Sequence, residues 1–310
     1  VPVPVEQLRQ GSNSFQFTCG PQIKYSFNWG YYIVYAFTVR AYLEGLAEAP
    51  TGRILWPRPG QVLGDDPSIE VEADGGGHAI ERVDVIAHYE DFDWEGDGRY
   101  RQWHYQEIIG GWRRHVGGDD EAPYAVTWST EWIPDQEPGS VQLMARVTNT
   151  AGVSTMTRVV DGLTLSRQPR SVRMYTAYEM PENFRSRARR RHSCKLFVPH
   201  DLSQARRARL ALSTWSGLHA EEIGLNGVIL TPSIGRIHAF SYDTLDVPLD
   251  IVRRGVNEFH TYSETSHHGI EVNWPGPALL IEYETPVADP PAATVDLAIF
   301  ARELAEGWKW

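Results

Sequence analysis

The sequence predicts an all-β chain of tandem β-sandwiches with a short C-terminal helix. Three observations carry that expectation. Short runs rich in Val, Ile, Leu and Tyr alternate with Gly, Pro and Asn clusters from Arg53 to Glu284, the pattern of strands joined by turns. Small-residue and proline stretches, EGLAEAPTG at 44–52 and TPVADPPAA at 285–293, mark boundaries between packed units. Finally, residues 1–40 are a degraded copy of the stretch from Val247 to Tyr283. An offset of 244 pairs Val3 with Val247, Pro4 with Pro248, Arg9 with Arg253, Gly11 with Gly255, Asn13 with Asn257 and Phe15 with Phe259. Chance supplies about one identity in so short a window, so the two are an internal repeat.

Taken in order, residues 1–46 read as the C-terminal part of a sandwich module: a strand, a Gly-x-Asn turn, a second strand, an aromatic and polar loop, and a closing apolar strand. Nothing in this sequence precedes the earlier copy to complete such a module, so the chain is expected to begin within a domain, with other chains of the same assembly as one expected source of the missing strands. From 53 to 165 the runs ILWP, SIEVEA, RVDVIAHY, YAVTW, VQLMARVTN and TRVVDGLTL predict a second sandwich. The opening Trp56-Pro57-x-Pro59-Gly60, the strand Val83-Asp84-Val85-Ile86, the run Ala122 to Trp128 and the strand and turn Val141 to Gly152 resemble a bacterial immunoglobulin-like domain. That resemblance implies a spacer or adhesive module of a secreted protein, without catalytic residues of its own.

Inside this module, Glu90-Asp91-Phe92-Asp93-Trp94-Glu95-Gly96-Asp97-Gly98 carries the strongest chemical signal. Alternating carboxylates around a glycine turn can converge on one hard cation, as in D-x-D-x-[DN]-G calcium loops. Asp91, Asp93, Glu95 and Asp97 are therefore candidate calcium ligands. Gln102 stands at the twelfth position where an EF-hand has Glu, so the expected site is a looser loop between strands. The alternative is a solvated acidic turn whose repulsion salt screens. The aromatic run Tyr100, Trp103, His104, Tyr105 and Trp112 is read as packing, with a sugar-stacking platform as the alternative.

A third sandwich is expected over 169–284, with strands at SVRMYTAY, CKLFVP, ARLALSTW, EEIGLNGVIL, SYDTLDVPL, NEFHTY and ALLIEYE. Asn226-Gly227 is a two-residue hairpin signal. The order ARLAL, EIGLNG, YDTLDVPLDIV and RRGVNEF resembles the galactose-binding-like jelly roll of many glycan-active secreted proteins, and by the repeat the N-terminal piece resembles part of a second one. The resemblance implies a capacity for carbohydrate binding. Arg185, Arg187, Arg189 and Arg191 recur with period two. On a strand they would share one face, either as a solvated edge or as a grip on an anionic polysaccharide.

The loop after the second Gly-x-Asn turn holds His260, Glu264, His267, His268, Glu271 and Trp274, residue types able to bind zinc or move protons. The spacing fits no metal motif. The equivalent loop of the first copy, 20–32, lacks histidine and acid but keeps its aromatics. Stacking or packing therefore outranks catalysis, and the candidate glycan contacts are Trp29, Tyr32, His267, His268 and Trp274. Residues 285–310 read as a proline-rich linker and a helix with Leu297, Phe300, Leu304 and Trp308 on one face.

The net charge of −11 argues against nucleic-acid binding, which depends on neutralising phosphates. No apolar run is long enough to span a bilayer. Two cysteines, Cys19 and Cys194, make neither a disulfide framework nor a zinc motif. Nucleophile motifs, P-loops and dinucleotide fingerprints are missing from the sequence. The expected function is a non-catalytic region of an extracellular or cell-surface multidomain protein, a calcium-stabilised β-sandwich spacer with glycan-binding jelly rolls. The alternatives are an accessory region of a polysaccharide hydrolase or lyase, and a subunit of an extracellular filament or surface layer.

Overall fold

The computed structural model describes residues 3–9, 11–16, 39, 48–108, 111–113 and 115–288. It is all-β, as the sequence predicts. The N-terminal sandwich comprises β1 (Thr51–Trp56), β2 (Val62–Leu63), β3 (Ser68–Asp74), β4 (Ile80–Glu90), β5 (Arg101–His104), β6 (Gln106–Ile108), β7 (Gly111–Arg113), β8 (Gly117–Asp119), β9 (Tyr124–Thr127), β10 (Val141–Asn149), β11 (Ser154–Met156) and β12 (Val160–Leu165). One sheet is β1-β3-β9; the other is β2-β12-β10-β4-β5, with β11 beside β10 and β8 beside β4. Inward residues alternate along each strand and meet between the sheets, Ile69, Val71 and Val126 against Val83, Val85, Leu143, Ala145 and Val147.

The C-terminal sandwich comprises β13 (Ser171–Tyr178), β14 (Arg185–Ser186), β15 (Arg190–Val198), β16 (Ala205–Trp215), β17 (Glu222–Leu225), β18 (Val228–Thr231), β19 (Phe240–Val247), β20 (Gly255–Ser263), β21 (Ile270–Val272) and β22 (Ala278–Tyr283). One layer runs β14-β21-β16-β22-β13 with β19 on β16, and the other runs β15-β20-β17-β18. β13 links the layers through Ala177↔Leu196 and Tyr178↔Lys195. Between them pack Leu210, Leu212, Leu279 and Ile281 from one side and Leu196, Ile223, Leu225 and Phe259 from the other. Cys194 is a buried free thiol.

The arginine stripe is not on one strand. Ala188 and Arg189 adopt left-handed backbone, at φ 53° and 61°, which ends β14 and turns the chain into β15. The period-two alternation is lost there: Arg185 pairs with Glu271, Arg191 pairs with Glu222, and Arg187 donates to the carbonyl of His267. The expected C-terminal helix, Cys19, Trp29, Tyr32 and the closing strand of the first repeat copy lie outside the described residues.

The repeat is visible as geometry. Asn257 Oδ1 accepts the Arg253 N–H at 2.8 Å, and its Nδ2 donates to the carbonyls of Arg253 and Gly255. Asn13 makes the same three bonds with Arg9 and Gly11. Gly11 and Gly255 both have positive φ, 90° and 98°, a conformation open to glycine at no steric cost.

Two features join the sandwiches. All six residues of β22 are buried. Leu279 and Ile281 face their own core, while Ala278 and Leu280, with Val172 and Ala211, meet Phe92 and Trp94 of the other sandwich. Those two aromatics belong to the acidic loop after β4. They are 1% and 5% exposed, and burying each stabilises the joint by about 2 kcal/mol. Trp94 stands edge-on to Phe92 at 4.8 Å and to Tyr242 at 5.4 Å. The loop is held in shape from within, because Asp93, fully buried, accepts the amide N–H groups of Gly96, Asp97 and Gly98 at 2.8, 3.2 and 2.8 Å. Gly96, at φ +69°, lies so close to the Trp274 carbonyl that a Cβ would sit 2.9 Å from its oxygen.

A polar knot flanks this contact. Glu282, 4% exposed, accepts from Arg207 at 2.6 and 3.3 Å and from Arg170 at 3.1 Å. Arg207 also reaches Glu131 Oε1 at 2.6 Å, and Arg170 the Glu131 carbonyl at 2.8 Å. Burial alone would raise the Glu282 carboxyl; the hydrogen bonds from Arg207 and Arg170 outweigh it and hold the carboxyl below its ordinary value of 4.5.

Replacing Asp93 with Ala takes the acceptor from three loop amides. The variant is expected to lose about 3 kcal/mol and to split the thermal transition into two, read by calorimetry. A depressed carboxyl contributes stability above its unfolded pKa, and that contribution is lost as pH falls through the folded value. Glu282→Gln should therefore be less stable than the parent at pH 7 and show a flatter fall in stability below pH 4.5, measured by urea unfolding across pH 3–7.

Candidate functional site

Docking of the two sandwiches leaves a cleft of about 330 Å³ beside the aromatic plug. Its walls come from four places. Tyr89, Asp91, Phe92 and Trp94 are supplied by the end of β4 and the acidic loop. His115 and Val116 precede β8. Trp128, Ser129, Glu131, Trp132 and Ile133 follow β9, and Arg209, Ala211, Thr244 and Leu280 lie on the outer face of the C-terminal sandwich. The floor is dry: Phe92, Trp94, Trp128 and Leu280 are all at most 5% exposed. The rim is polar, with Ser129 and Thr244 exposed and Glu131 and Arg209 half-buried.

Partners position Trp128, Trp132, Arg209 and His115 in the wall. Trp128 meets Tyr89 edge-on at 5.2 Å. Arg209 lies over the Trp132 ring at 4.4 Å and binds Asp246 at 2.9 Å, while Arg207 covers the same ring at 5.0 Å. The Trp132 indole N–H has no acceptor within the protein. His115 Nε2 lies 3.3 Å from the buried Asp84, which Arg82 and Arg146 also hold, at 2.7 and 3.3 Å. Burial pushes the Asp84 carboxyl up, but hydrogen bonds from His115 and Arg82 and the field of Arg146 bring it below the usual carboxylate range. Aromatic faces beside a few fixed carboxylate, guanidinium and imidazole groups suit a ligand that is itself half apolar and half hydroxylated.

The residues expected from sequence fall in different places. Asp91 lines the cleft. Asp93 spends its oxygens on backbone amides, Glu95 accepts from Gln102 at 3.2 Å and Asp97 caps the Arg99 N–H at 3.0 Å. Among the described residues no three His, Cys, Asp or Glu side chains are set to hold a metal ion. Burial raises the Asp93 carboxyl, opposed chiefly by the Gly98 amide. The aromatic run divides as well. His104 is fully buried on the Tyr89 carbonyl, Trp103 meets His88, and Tyr105 stacks on Trp112, over which Arg146 lies at 3.7 Å.

His267 and His268 do come together, and with two further histidines, His219 and His238. Trp274 lies beyond the other end of β21, where it lines a small pocket with Met180, Phe184 and Val272. His260 is buried and its pKa lowered by that burial. Burial pushes Glu271 up to about 7, against the field of Arg187, and Arg185 Nε lies 3.3 Å from its carboxylate. Trp132, Arg209 and His115 carry no sequence signal of their own; the signals that fall on the cleft are Asp91 in the acidic loop and Trp128 in the run from Ala122.

No protein-family model matches the chain, and no curated protein matches it. Among solved structures, the fibronectin(III)-like modules of Clostridium thermocellum CbhA match with 14% identity over 37% of this chain and 94% of theirs, at a TM-score of 0.24. A β-porphyranase of glycoside hydrolase family 86 from Bacteroides plebeius matches with 11% identity over 73% of this chain and 36% of its own length, at 0.31. Carbohydrate-binding modules of the β-sandwich superfamily match with 11% identity over 78% of this chain and 99% of theirs, at 0.20. Likenesses this distant carry no argument about function. No helix among the described residues is long and apolar enough to cross a membrane.

Three backbone amides occupy Asp93 within the acidic loop. Adding calcium to the EDTA-stripped chain should accordingly leave the melting temperature unchanged; a rise of several degrees would show that the loop is a structural metal site.

Proposed function

We propose that this chain is a non-catalytic, glycan-binding region of an extracellular protein, in which two docked β-sandwiches hold a saccharide in the cleft between them. The observation that supports it is the composition of that cleft. Trp94, Trp128 and Trp132 offer flat apolar surface, and Asp91, Glu131, Arg209 and His115 stand around them. Sugar rings present C–H faces to aromatic surface and hydroxyls to charged acceptors and donors, so both halves of the wall have a counterpart on the ligand. A volume of about 330 Å³ is at the lower end of the range for small-ligand sites and matches one or two sugar units. The extracellular part of the reading rests on the sequence resemblance to immunoglobulin-like and galactose-binding-like modules. The rigid joint built from Glu282, Arg207 and Arg170 supports a preformed cleft, which keeps the ordering cost of binding low.

The test is a panel of neutral and anionic plant and algal polysaccharides and their oligosaccharides, read by calorimetry and by quenching of tryptophan fluorescence. One ligand class should bind with a stoichiometry of one, and Trp132→Ala or the rim-filling Thr244→Arg should weaken it at least tenfold while circular dichroism stays unchanged. Binding to nothing in the panel, or binding that ignores both variants, would sink the cleft reading. Release of reducing ends by the parent chain would replace it with an enzymatic one.

A further inference from the structure

The C-terminal sandwich gathers four histidines that lie far apart in sequence. His219 closes the 3-10 turn Gly217–His219 after β16. His238 sits in the turn before β19, and His267 and His268 in the turn between β20 and β21. The His238–His268 and His267–His268 ring centres are each 4.2 Å apart, those of His219 and His238 5.3 Å, and those of His219 and His268 5.9 Å. Trp215 walls one side, 5.9 Å from His238 and 5.7 Å from His268.

Two backbone features keep the rings together. Ser216 and His238 both take left-handed conformations, at φ 59° and 51°, which non-glycine residues adopt at a cost of about 1 kcal/mol or more. The fully buried Ser216 ties the two turns: its hydroxyl accepts the His238 N–H at 3.0 Å and is bonded to His219 Nδ1 at 2.9 Å. When Nδ1–H of His219 is the donor, Nε2 carries the free lone pair, and a fixed hydrogen bond on the second nitrogen is how metal-ligating imidazoles are oriented.

We propose that His219, His238, His267 and His268 form a binding site for one divalent transition-metal ion, zinc or copper. Imidazole is the ligand these ions favour, and none of the oxygen ligands that calcium and magnesium require belongs to the set. With a metal–nitrogen bond of about 2.0 Å, two imidazoles on one ion have ring centres roughly 5 Å apart, the middle of the spacings seen here. The nitrogens are not already trained on one point, since among the described residues no three ligand side chains are set to hold an ion. Loading therefore turns the rings about χ1 and χ2. His238 and His267 are exposed and His219 and His268 half-buried, and exposed side chains change rotamer on the picosecond to nanosecond timescale. The site stands apart from the cleft and does not depend on its ligand.

The experiment uses the full chain, stripped with EDTA and dialysed, titrated with zinc chloride and separately with copper sulfate at pH 7.5. Calorimetry should show one saturable ion per chain at micromolar affinity or tighter, and the copper form should show nitrogen hyperfine structure from at least three imidazoles by electron paramagnetic resonance. The exposed-site variants His238→Ala and His267→Ala should each weaken binding at least tenfold, and His238→Ala combined with His268→Ala should abolish it. His78→Ala, in the other sandwich, should leave it unchanged. Absence of saturable binding, a copper spectrum with one nitrogen or none, or binding equally affected by His78→Ala would each overturn the proposal. Glycan binding can succeed or fail in the same preparations without bearing on this outcome.

Discussion

One buried carboxylate sets the shape on which the two-sandwich arrangement depends. Asp93 gathers the amides of Gly96, Asp97 and Gly98, and by doing so fixes a loop whose intervening side chains, Phe92 and Trp94, become the plug between the sandwiches. A loop left to solvent would have no reason to bury two large aromatics against another unit. With its turn closed internally, it presents them as a rigid surface. The acidic character of the segment and its apolar contact are thus two sides of one device. Asp93 turns inward to its own amides, and Phe92 and Trp94 on either side of it turn outward to the other sandwich.

The receiving surface is equally specialised. A sandwich sheet with one face in water alternates apolar and polar residues, whereas one covered on both faces reads as a continuous apolar run. β22, ALLIEY, is of the second kind. Its single charge, Glu282, is kept ionised in a dry place by two guanidiniums, the arrangement in which a buried carboxylate is tolerated. Loss of both arginines would strand that charge beside the aromatic plug.

Much of the fold was legible because strands and turns leave local marks. The runs SVRMYTAY and VQLMARVTN coincide with β13 and β10, and Asn226-Gly227 sits at the expected hairpin between β17 and β18. The arginine stripe misled because two left-handed residues, Ala188 and Arg189, carry no sequence mark of their own. The sites were harder to see for a different reason. The cleft unites residues from Tyr89 to Leu280, and the histidine group joins His219 to His268. Neither has a spacing to detect, since both are made by packing of elements distant in sequence. The acidic loop was visible as a motif but ambiguous as chemistry. Carboxylates that would ligate a cation and carboxylates that cap amides share one pattern, and only the hydrogen-bond partners separate them.

The repeated Gly-x-Asn turn has one further consequence. Asn257 makes these three local bonds at a fully buried position, where its Oδ1 also accepts from the Asn226 amide, and Asn13 makes the same three at an exposed one, with each of the three local partners within four residues. The geometry therefore owes nothing to the surrounding core. Such a turn can close on the submicrosecond timescale of short loops, before any distant strand arrives, and it fixes where β20 begins. In the order of folding it acts as a local register mark, set early, against which the slower long-range pairing of the layers is aligned.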